Sequence, residues 1–284
     1  MTAARIDGNQ VASAILAEVA EGIRTRLATG LPRPHLAALL VGDDPASQTY
    51  VRLKRRDADR VGMTSSDHRL PATAGTAAVV ELVESLNRDD DVSGVLVQTP
   101  LPPSVDEAVA LASVDPVKDV DGLHPVNAGR LLLGQPGMLP NTPAGIIRML
   151  DAYDIEVAGR HAVVLGRSNI VGKPAAVLLL RRNATVTICH SKTVGLAEIC
   201  READILVVAI GQLDFVGPDM VRPGAVVIDV GINTRPGGRL GGDVDPAVAE
   251  VAGWLSPVPG GVGPVTRAML MANTWQAEQA RRPG

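Results

Sequence analysis

Aromatic side chains are scarce: one Phe, two Tyr and two Trp in 284 residues. So few rings leave little on which to stack the bases of a single-stranded nucleic acid. A basic excess is missing too. Twenty-seven Lys and Arg face 31 Asp and Glu, a formal charge of -4, and that balance would not neutralise a phosphate backbone. Nucleic acid is therefore not an expected partner. Cysteine occurs only at Cys189 and Cys200, too few for a disulfide framework. Both read as small buried hydrophobes, and the expected compartment is a reducing cytoplasm. No apolar run approaches the ~20 residues of a membrane helix. The opening MTAARIDGNQ lacks the apolar core of a secretory signal, so no membrane partner is expected. The five histidines, His35, His68, His124, His161 and His190, form no metal-ligand pattern. They read as structural, and no metal is expected.

What is present is a 46% hydrophobic chain, long enough for one large domain or two modest ones, with a regular alternation of patterns. NQVASAILAEVAEGIRTRL has helical spacing, and HLAALLVG is a short apolar run that reads as a buried strand. A helix follows, starting at Asp44-Pro45 and stopping at Gly62. MTSSDHRLP, TAAVVELVESLNRD and VSGVLVQTP then read as strand, helix and strand. A Pro- and Gly-rich zone from Pro116 to Gly145 reads as a crossing between domains. Beyond it HAVVLG, KPAAVLLLRRN, TVTICHS, GLAEICREA, DILVVAIG and AVVIDVGIN resume the alternation, and RAMLMANTWQAEQARR is a last helix. Alternating strands and helices predict an α/β fold with parallel sheets covered by helices.

GRSNIVGKP, Gly166 to Pro174, has the ingredients of a phosphate-binding loop. It is not the loop of a nucleotide triphosphatase, which has four residues between its outer glycines and a metal-binding hydroxyl after the lysine. Here five residues separate Gly166 from Gly172, and Pro174 follows Lys173. The stretch HAVVLGRSNIVGKPAAVLLL reads strand, glycine loop, helix, the context of a dinucleotide fold. Such a loop brings backbone N–H groups and a helix N-terminus to a pyrophosphate. Ser168 stands where the second glycine of the usual fingerprint would be. NAD enzymes place a carboxylate about twenty residues on, for the ribose 2′-hydroxyl. Nineteen residues beyond Gly172 the local sequence is CHSKT, with Ser191 and no carboxylate. Ser191 and Arg167 would suit a 2′-phosphate, so the expected cofactor is NADP.

SQTYVRLK is the second informative stretch. Tyr50 and Lys54 are four apart on a helix and share a face with Ser47. Gln98 stands at the C-terminal end of a buried strand in VLVQTPLP, where open parallel sheets bind ligands. PVKDVDG adds Asp119 and Asp121, which on their own read as a solvated turn without the spacing of a calcium loop.

Taken in order, TYVRLK, GVLVQTPLP, PVKDVDG, PNTPAG, GRSNIVGKP, CHSKT, VIDVGIN, GDVD and PVPGGVGP resemble the bifunctional methylenetetrahydrofolate dehydrogenase/cyclohydrolase family, FolD. The resemblance runs from about Asp7 to the final helix. Three positions depart from the pattern: Thr99 for Leu, Asn141 for Cys and Val265 for Met. The resemblance implies two α/β domains with the active-site cleft between them, the C-terminal one a Rossmann-type doubly wound parallel sheet. Residues 1–120 would be the catalytic, folate-binding domain, with helix 267–282 packed back onto it. Residues 121–145 would be crossing segments, and 146–266 the NADP-binding domain.

The resemblance also implies a function and its residues. The family oxidises 5,10-methylenetetrahydrofolate with NADP+ and hydrolyses the methenyl product to 10-formyltetrahydrofolate. Hydride transfer mainly needs positioning, whereas the hydrolysis needs a proton acceptor and later a donor. By resemblance Lys54 is that group, Gln98 holds it, Tyr50 packs on the substrate, and Asp121 takes the amino-pyrimidine end of the pterin. Ser47, Pro259, Gly260 and Gly261 join the substrate site, the glycines by allowing close approach of backbone. Gly166, Arg167, Ser168, Gly172, Ser191, Gly211, Gly231 and Ile232 are the cofactor residues. The expected partners are tetrahydrofolate substrates and a second copy of the chain, as a homodimer through the cofactor domain. Another two-domain NAD(P) dehydrogenase would leave Tyr50, Lys54, Gln98 and Asp121 without a joint role, and a dinucleotide sensor would not need a proton shuttle; a family member with the dehydrogenase or the cyclohydrolase activity alone would carry the same motifs and stays open.

Overall fold

The computed structural model describes residues 2–282. In chain order the first elements are β1 (Ala4–Arg5), α1 (Gly8–Ala28), β2 (His35–Val41), α2 (Pro45–Val61), β3 (Thr64–Leu70), α3 (Thr76–Arg88) and β4 (Gly94–Val97). Then come α4 (Glu107–Ala112), α5 (Pro125–Leu132), α6 (Asn141–Ala152), β5 (His161–Leu165), α7 (Gly172–Arg181) and β6 (Thr185–Cys189). The last are α8 (Leu196–Arg201), β7 (Ile205–Val208), β8 (Val226–Asp229), β9 (Asn233–Thr234), β10 (Leu240–Gly241), β11 (Trp254–Leu255) and α9 (Val262–Arg281).

The chain divides into two compact units. One comprises residues up to Ala12 together with Thr142–Thr266; the other comprises Ser13–Asn141 together with Arg267 onward. The first holds a six-stranded sheet in the order β1-β11-β8-β7-β5-β6, parallel throughout. The runs HAVVL, ILVV and VVID are rich in β-branched residues and buried on both faces, as strands covered by helices must be. Beneath them lies a core that includes Val163, Leu165, Leu206, Val208 and Val227, with Cys189 and Cys200 as free, buried thiols. β6 lies on one side of β5 and β7 on the other, so the strand order reverses at β5. The crevice beyond the carboxyl ends of β5 and β7 is then the expected ligand site of such a sheet.

The second unit holds a three-stranded parallel sheet, β3-β2-β4. A single bridge sets Asp119 beside Val95 of β4. Its helix α2 is specified locally at both ends. The Asp44 carboxylate accepts from Ser47 N–H at 2.7 Å, Pro45 occupies the first turn, and Gly62 closes the helix with φ 85°.

Several elements differ from the sequence expectation. The Pro- and Gly-rich zone contains α5 and the start of α6. Pro125 and Pro143 fall in first helical turns, where a missing N–H costs no hydrogen bond. For the same reason α9 begins at Val262, ahead of Pro264, rather than at Arg267. β1 and β11 extend the first sheet, and β9 and β10 pair antiparallel.

The second unit is tied together by a buried ion pair. Arg26 of α1 donates from Nη2 to Glu278 Oε1 of α9 at 2.5 Å, the two side chains being 4% and 1% exposed. Glu278 Oε2 accepts from Ser93 Oγ at 2.8 Å, and Ser93 Oγ accepts from His35 N–H. Arg26 also donates to the carbonyls of Pro32 and Arg282. Removing Arg26 would leave the buried carboxylate only the more distant Arg282 guanidinium, 3.9 Å away, as a cation among the described residues. Arg26→Met is expected to lower unfolding free energy by about 3–5 kcal/mol, read from urea denaturation. A loss below about 1 kcal/mol would mean that water reaches Glu278 and that the pair is in effect a surface one.

Candidate functional site

Lys54 and Gln98 come together in the second unit. Lys54 stands on α2, and its Nζ donates to Gln98 Oε1 at 3.0 Å. Gln98 directly follows β4 and is buried. Its backbone N–H is held by Leu39 O, and its Nε2 donates to Thr99 O at 2.5 Å. Both amide ends are therefore committed, and Oε1 is aimed at the lysine. Loss of hydration holds the Lys54 pKa below the ordinary lysine value. The Asp121 carboxylate opposes that shift and the Arg267 guanidinium adds to it. Arg267 itself is fixed by Asp57, one turn along α2, at 2.8 Å.

Asp121 lies in the turn after the Val95–Asp119 bridge. Burial raises its carboxyl pKa; Lys54 pulls it back, Asp119 pushes it up, and a hydrogen bond from Asn141 lowers it. The Lys54 and Asp121 shifts together narrow the gap between the ion pair and the neutral amine–acid form. Asp119 is not the solvated residue expected of a turn. Its carboxylate accepts from Leu123 N, His124 N and Asn127 Nδ2, so it builds the turn that presents Asp121. Ser47 is buried on the Lys54 face of α2, and Tyr50 is 37% exposed there.

Asn141, one of the three departures from the family pattern, and Asn273, which no local pattern marks, belong to this cluster. Asn141 Nδ2 donates to Asp121 Oδ1 at 2.8 Å. Asn141 Oδ1 accepts from Asn273 Nδ2, which also reaches Val120 O and Leu139 O, each at 2.9 Å. With its own oxygen engaged by Asn273, the Asn141 amide can only point its N–H at Asp121.

The first unit holds a cavity of about 500 Å³ at the carboxyl ends of β5, β6 and β7. Gly166, Arg167, His190, Ser191, Ile210 and Gln212 are among its lining residues, and no acidic residue is. Gly166 has φ 128°, and a Cβ on it would overlap Ala209 O; a Cβ on Gly172 would overlap the backbone of Gly166. The loop therefore closes only with glycine at both ends. Arg167 and Ser191 are exposed, and Arg167 makes no ion pair among the described residues. Ser168 Oγ accepts from the N–H groups of Val171 and Gly172 at 3.1 and 3.3 Å, so its hydroxyl shapes the loop. A pocket lined by the Arg167 guanidinium and Gly166, with no carboxylate among its lining residues, fits NADP, the guanidinium suiting a 2′-phosphate.

The other expected residues also belong to the first unit, Gly211 falling between the lining residues Ile210 and Gln212. Gly211 has φ 66° and Ile232 is exposed. Pro259 follows a cis peptide bond, and Gly260 has φ 101°. What Gly260 and Gly261 admit here is the chain's own backbone. Gly8 N–H donates to Gly260 O at 2.9 Å, and a Cβ on Gly261 would overlap Pro257 O.

Residues 6–121 match the model of the tetrahydrofolate dehydrogenase/cyclohydrolase catalytic domain, and residues 140–282 that of its NAD(P)-binding domain. The chain belongs to this family. It is 48% identical over 278 residues to the bifunctional protein FolD of Ruminiclostridium cellulolyticum, covering 98% of each chain. The bifunctional FolD structure from Campylobacter jejuni superposes with a TM-score of 0.96 at 42% identity, over 98% of this chain and 99% of that one. The Trypanosoma brucei FolD, solved with NADP cofactor and inhibitor, gives 0.93 at 40% identity over 99% of each chain.

Asn141→Leu removes the amide donor to Asp121. The Asp121 carboxyl pKa should then rise, because the lost hydrogen bond favoured the ionised form. Carboxyl titration by NMR would show it, and an Asp121 midpoint that stays in place would dismiss Asn141 from the cluster's electrostatics.

Proposed function

We propose that this chain oxidises 5,10-methylenetetrahydrofolate with NADP+ and hydrolyses the resulting 5,10-methenyl compound to 10-formyltetrahydrofolate. The observation that carries this reading is Lys54: an amine with a lowered pKa, oriented by Gln98 and neighboured by Asp121. In its neutral form Lys54 takes a proton from water as the oxygen bonds to the cationic methenyl carbon. It returns that proton to the ring nitrogen that leaves as the C–N bond breaks, while the hydroxyl proton on the former methenyl carbon passes to solvent as the formyl carbonyl forms. The positive charge of the bound substrate lowers the Lys54 pKa further. Gln98 fixes the direction of the amine. Tyr50 offers a ring to the substrate beside buried Ser47, and Asp121 accepts from its amino-pyrimidine end. Pro259, Gly260 and Gly261, in the first unit, are assigned to the substrate in the same reading.

NADP+, when bound, supplies the hydride acceptor. Gly166, Gly172, Gly211, Gly231 and Ile232 would shape its site, with Arg167, Ser168 and Ser191 offering polar groups. Arg167 and Ser191 would take the 2′-phosphate. A homodimer through the six-stranded unit is part of the same reading. Its edge strand β6 has an unpaired side, and Ile188 on β6 and Leu180 on α7 are 43% and 59% exposed. Sedimentation at micromolar concentration should give twice the mass of one chain, and a monomer there would rule this dimer out. Two free thiols suit a reducing cytoplasm.

Lys54→Met should abolish hydrolysis of methenyltetrahydrofolate and leave NADPH binding within about twofold of the parent. In the parent the hydrolysis rate should climb with pH and level off above the lowered Lys54 pKa, since only the free amine accepts a proton. A Lys54→Met protein that still hydrolysed the methenyl compound at the parental rate would remove Lys54 from the mechanism.

A further inference from the structure

Asp243 is a fully buried carboxylate in the first unit that the chemistry above leaves without a role. Its Oδ2 accepts from Ile210 N at 2.7 Å and Gly211 N at 2.9 Å. Its Oδ1 accepts from Gln212 N at 2.8 Å and Asn233 Nδ2 at 2.9 Å. Three consecutive backbone N–H groups thus converge on one anion, the concave arrangement that phosphates often occupy. Here the chain fills it with its own side chain. No cation pairs with Asp243 among the described residues, so these donors carry its charge.

The backbone of Asp243 is held in turn. Its N–H donates to Asp229 Oδ1 at 2.9 Å, while Gly231 N and Val244 N also donate to the Asp229 carboxylate. Burial still pushes the Asp229 carboxyl up to about 6. A Cβ on Gly231 would overlap the Asp243 carboxylate, and one on Gly242 the Asp229 carboxylate. Two acids therefore lock three segments that are distant in sequence: the loop after β7, the loop after β8 and the return from β10. Ile210 and Gln212, both bound through Asp243, line the 500 Å³ cavity.

We propose that Asp243 is a positioning residue for the dinucleotide, setting the β7 loop in its binding shape from beneath. This rests on the NADP reading of that cavity. It also specifies how Gly211 acts. The Gly211 N–H is committed to Asp243, so Gly211 serves through its turn geometry and not as a donor to the cofactor. Without the carboxylate the three N–H groups would lose their acceptors and the loop would be free to settle elsewhere.

The test is Asp243→Asn, which keeps the shape and replaces one acceptor oxygen by a donor. Direct titration with NADPH should show Kd raised tenfold or more. In the dehydrogenase assay the KM for NADP+ should rise by a similar factor, with kcat within about threefold. Methenyl hydrolysis at Lys54, in the other unit, should stay within twofold. Asn233→Ala, which removes only one side-chain donor, should raise KM for NADP+ two- to fivefold. An Asp243→Asn protein that melts earlier but binds NADPH within twofold of the parent would make the role purely structural and overturn the proposal. If Asp243→Asn also loses hydrolysis, the milder variant decides, and an unchanged KM for NADP+ in Asn233→Ala overturns it. A parent protein that does not bind NADPH would overturn this proposal together with the cofactor reading, whereas loss in the variant alone supports it.

Discussion

Parallel pairing makes every strand of a sheet finish on the same edge, and each candidate site is built on that edge of its own sheet. In the six-stranded unit the loops after β5, β6 and β7 meet there because β6 and β7 flank β5. In the three-stranded unit Gln98 leaves β4 at the same kind of edge, and the bridge at Asp119 brings the Asp121 turn beside it. The central strands β2, β4, β5, β7 and β8 are apolar and buried, so along them the polar groups needed for chemistry enter where the strands end. The choice of Val, Ile and Leu in the strands thus determines where Lys54, Gln98 and Asp121 can stand.

Desolvation is the second constraint. An amine that must accept a proton is more useful poorly hydrated, and a carboxylate beside it must not be allowed to fix it as an ammonium. Around Lys54 and Asp121 burial sets the balance, the neutral amides of Gln98 and Asn141 orient the two groups, and Arg267, fixed by Asp57, adds to the lowering at Lys54. Amides can orient a charged group without cancelling its charge. The buried acids in the other unit follow a related logic, since backbone N–H groups take the place of counterions around Asp229 and Asp243.

Much of this was legible in the sequence, and the physical reasons differ by element. α2 announced itself through Asp44-Pro45 and Gly62, because caps are local chemistry. The buried strands were legible as β-branched runs. α5 and α6 were not, since Pro125 and Pro143 look like breakers unless their position in a first turn is known. β1 and β11 have two residues each, too short for any periodicity. Within the site, the shared face of Tyr50 and Lys54 follows from helical spacing, and the joining of Lys54 to Gln98 was implied by the resemblance. The contact between Asn141 and Asn273 spans 132 positions and left no local trace. Asp119 was misread because a buried turn and a solvated one share the same composition; only the three donors around its carboxylate distinguish them.

The most direct measurement is one assay of the purified protein with 5,10-methylenetetrahydrofolate and either NADP+ or NAD+, following reduced cofactor and the methenyl compound separately. Reduction of NADP+ in preference to NAD+, with little methenyl accumulating, is the expected result. No reduction with either cofactor would contradict the dehydrogenase reading. Methenyl accumulating as fast as the cofactor is reduced, and decaying no faster than it does without protein, would contradict the role given to Lys54.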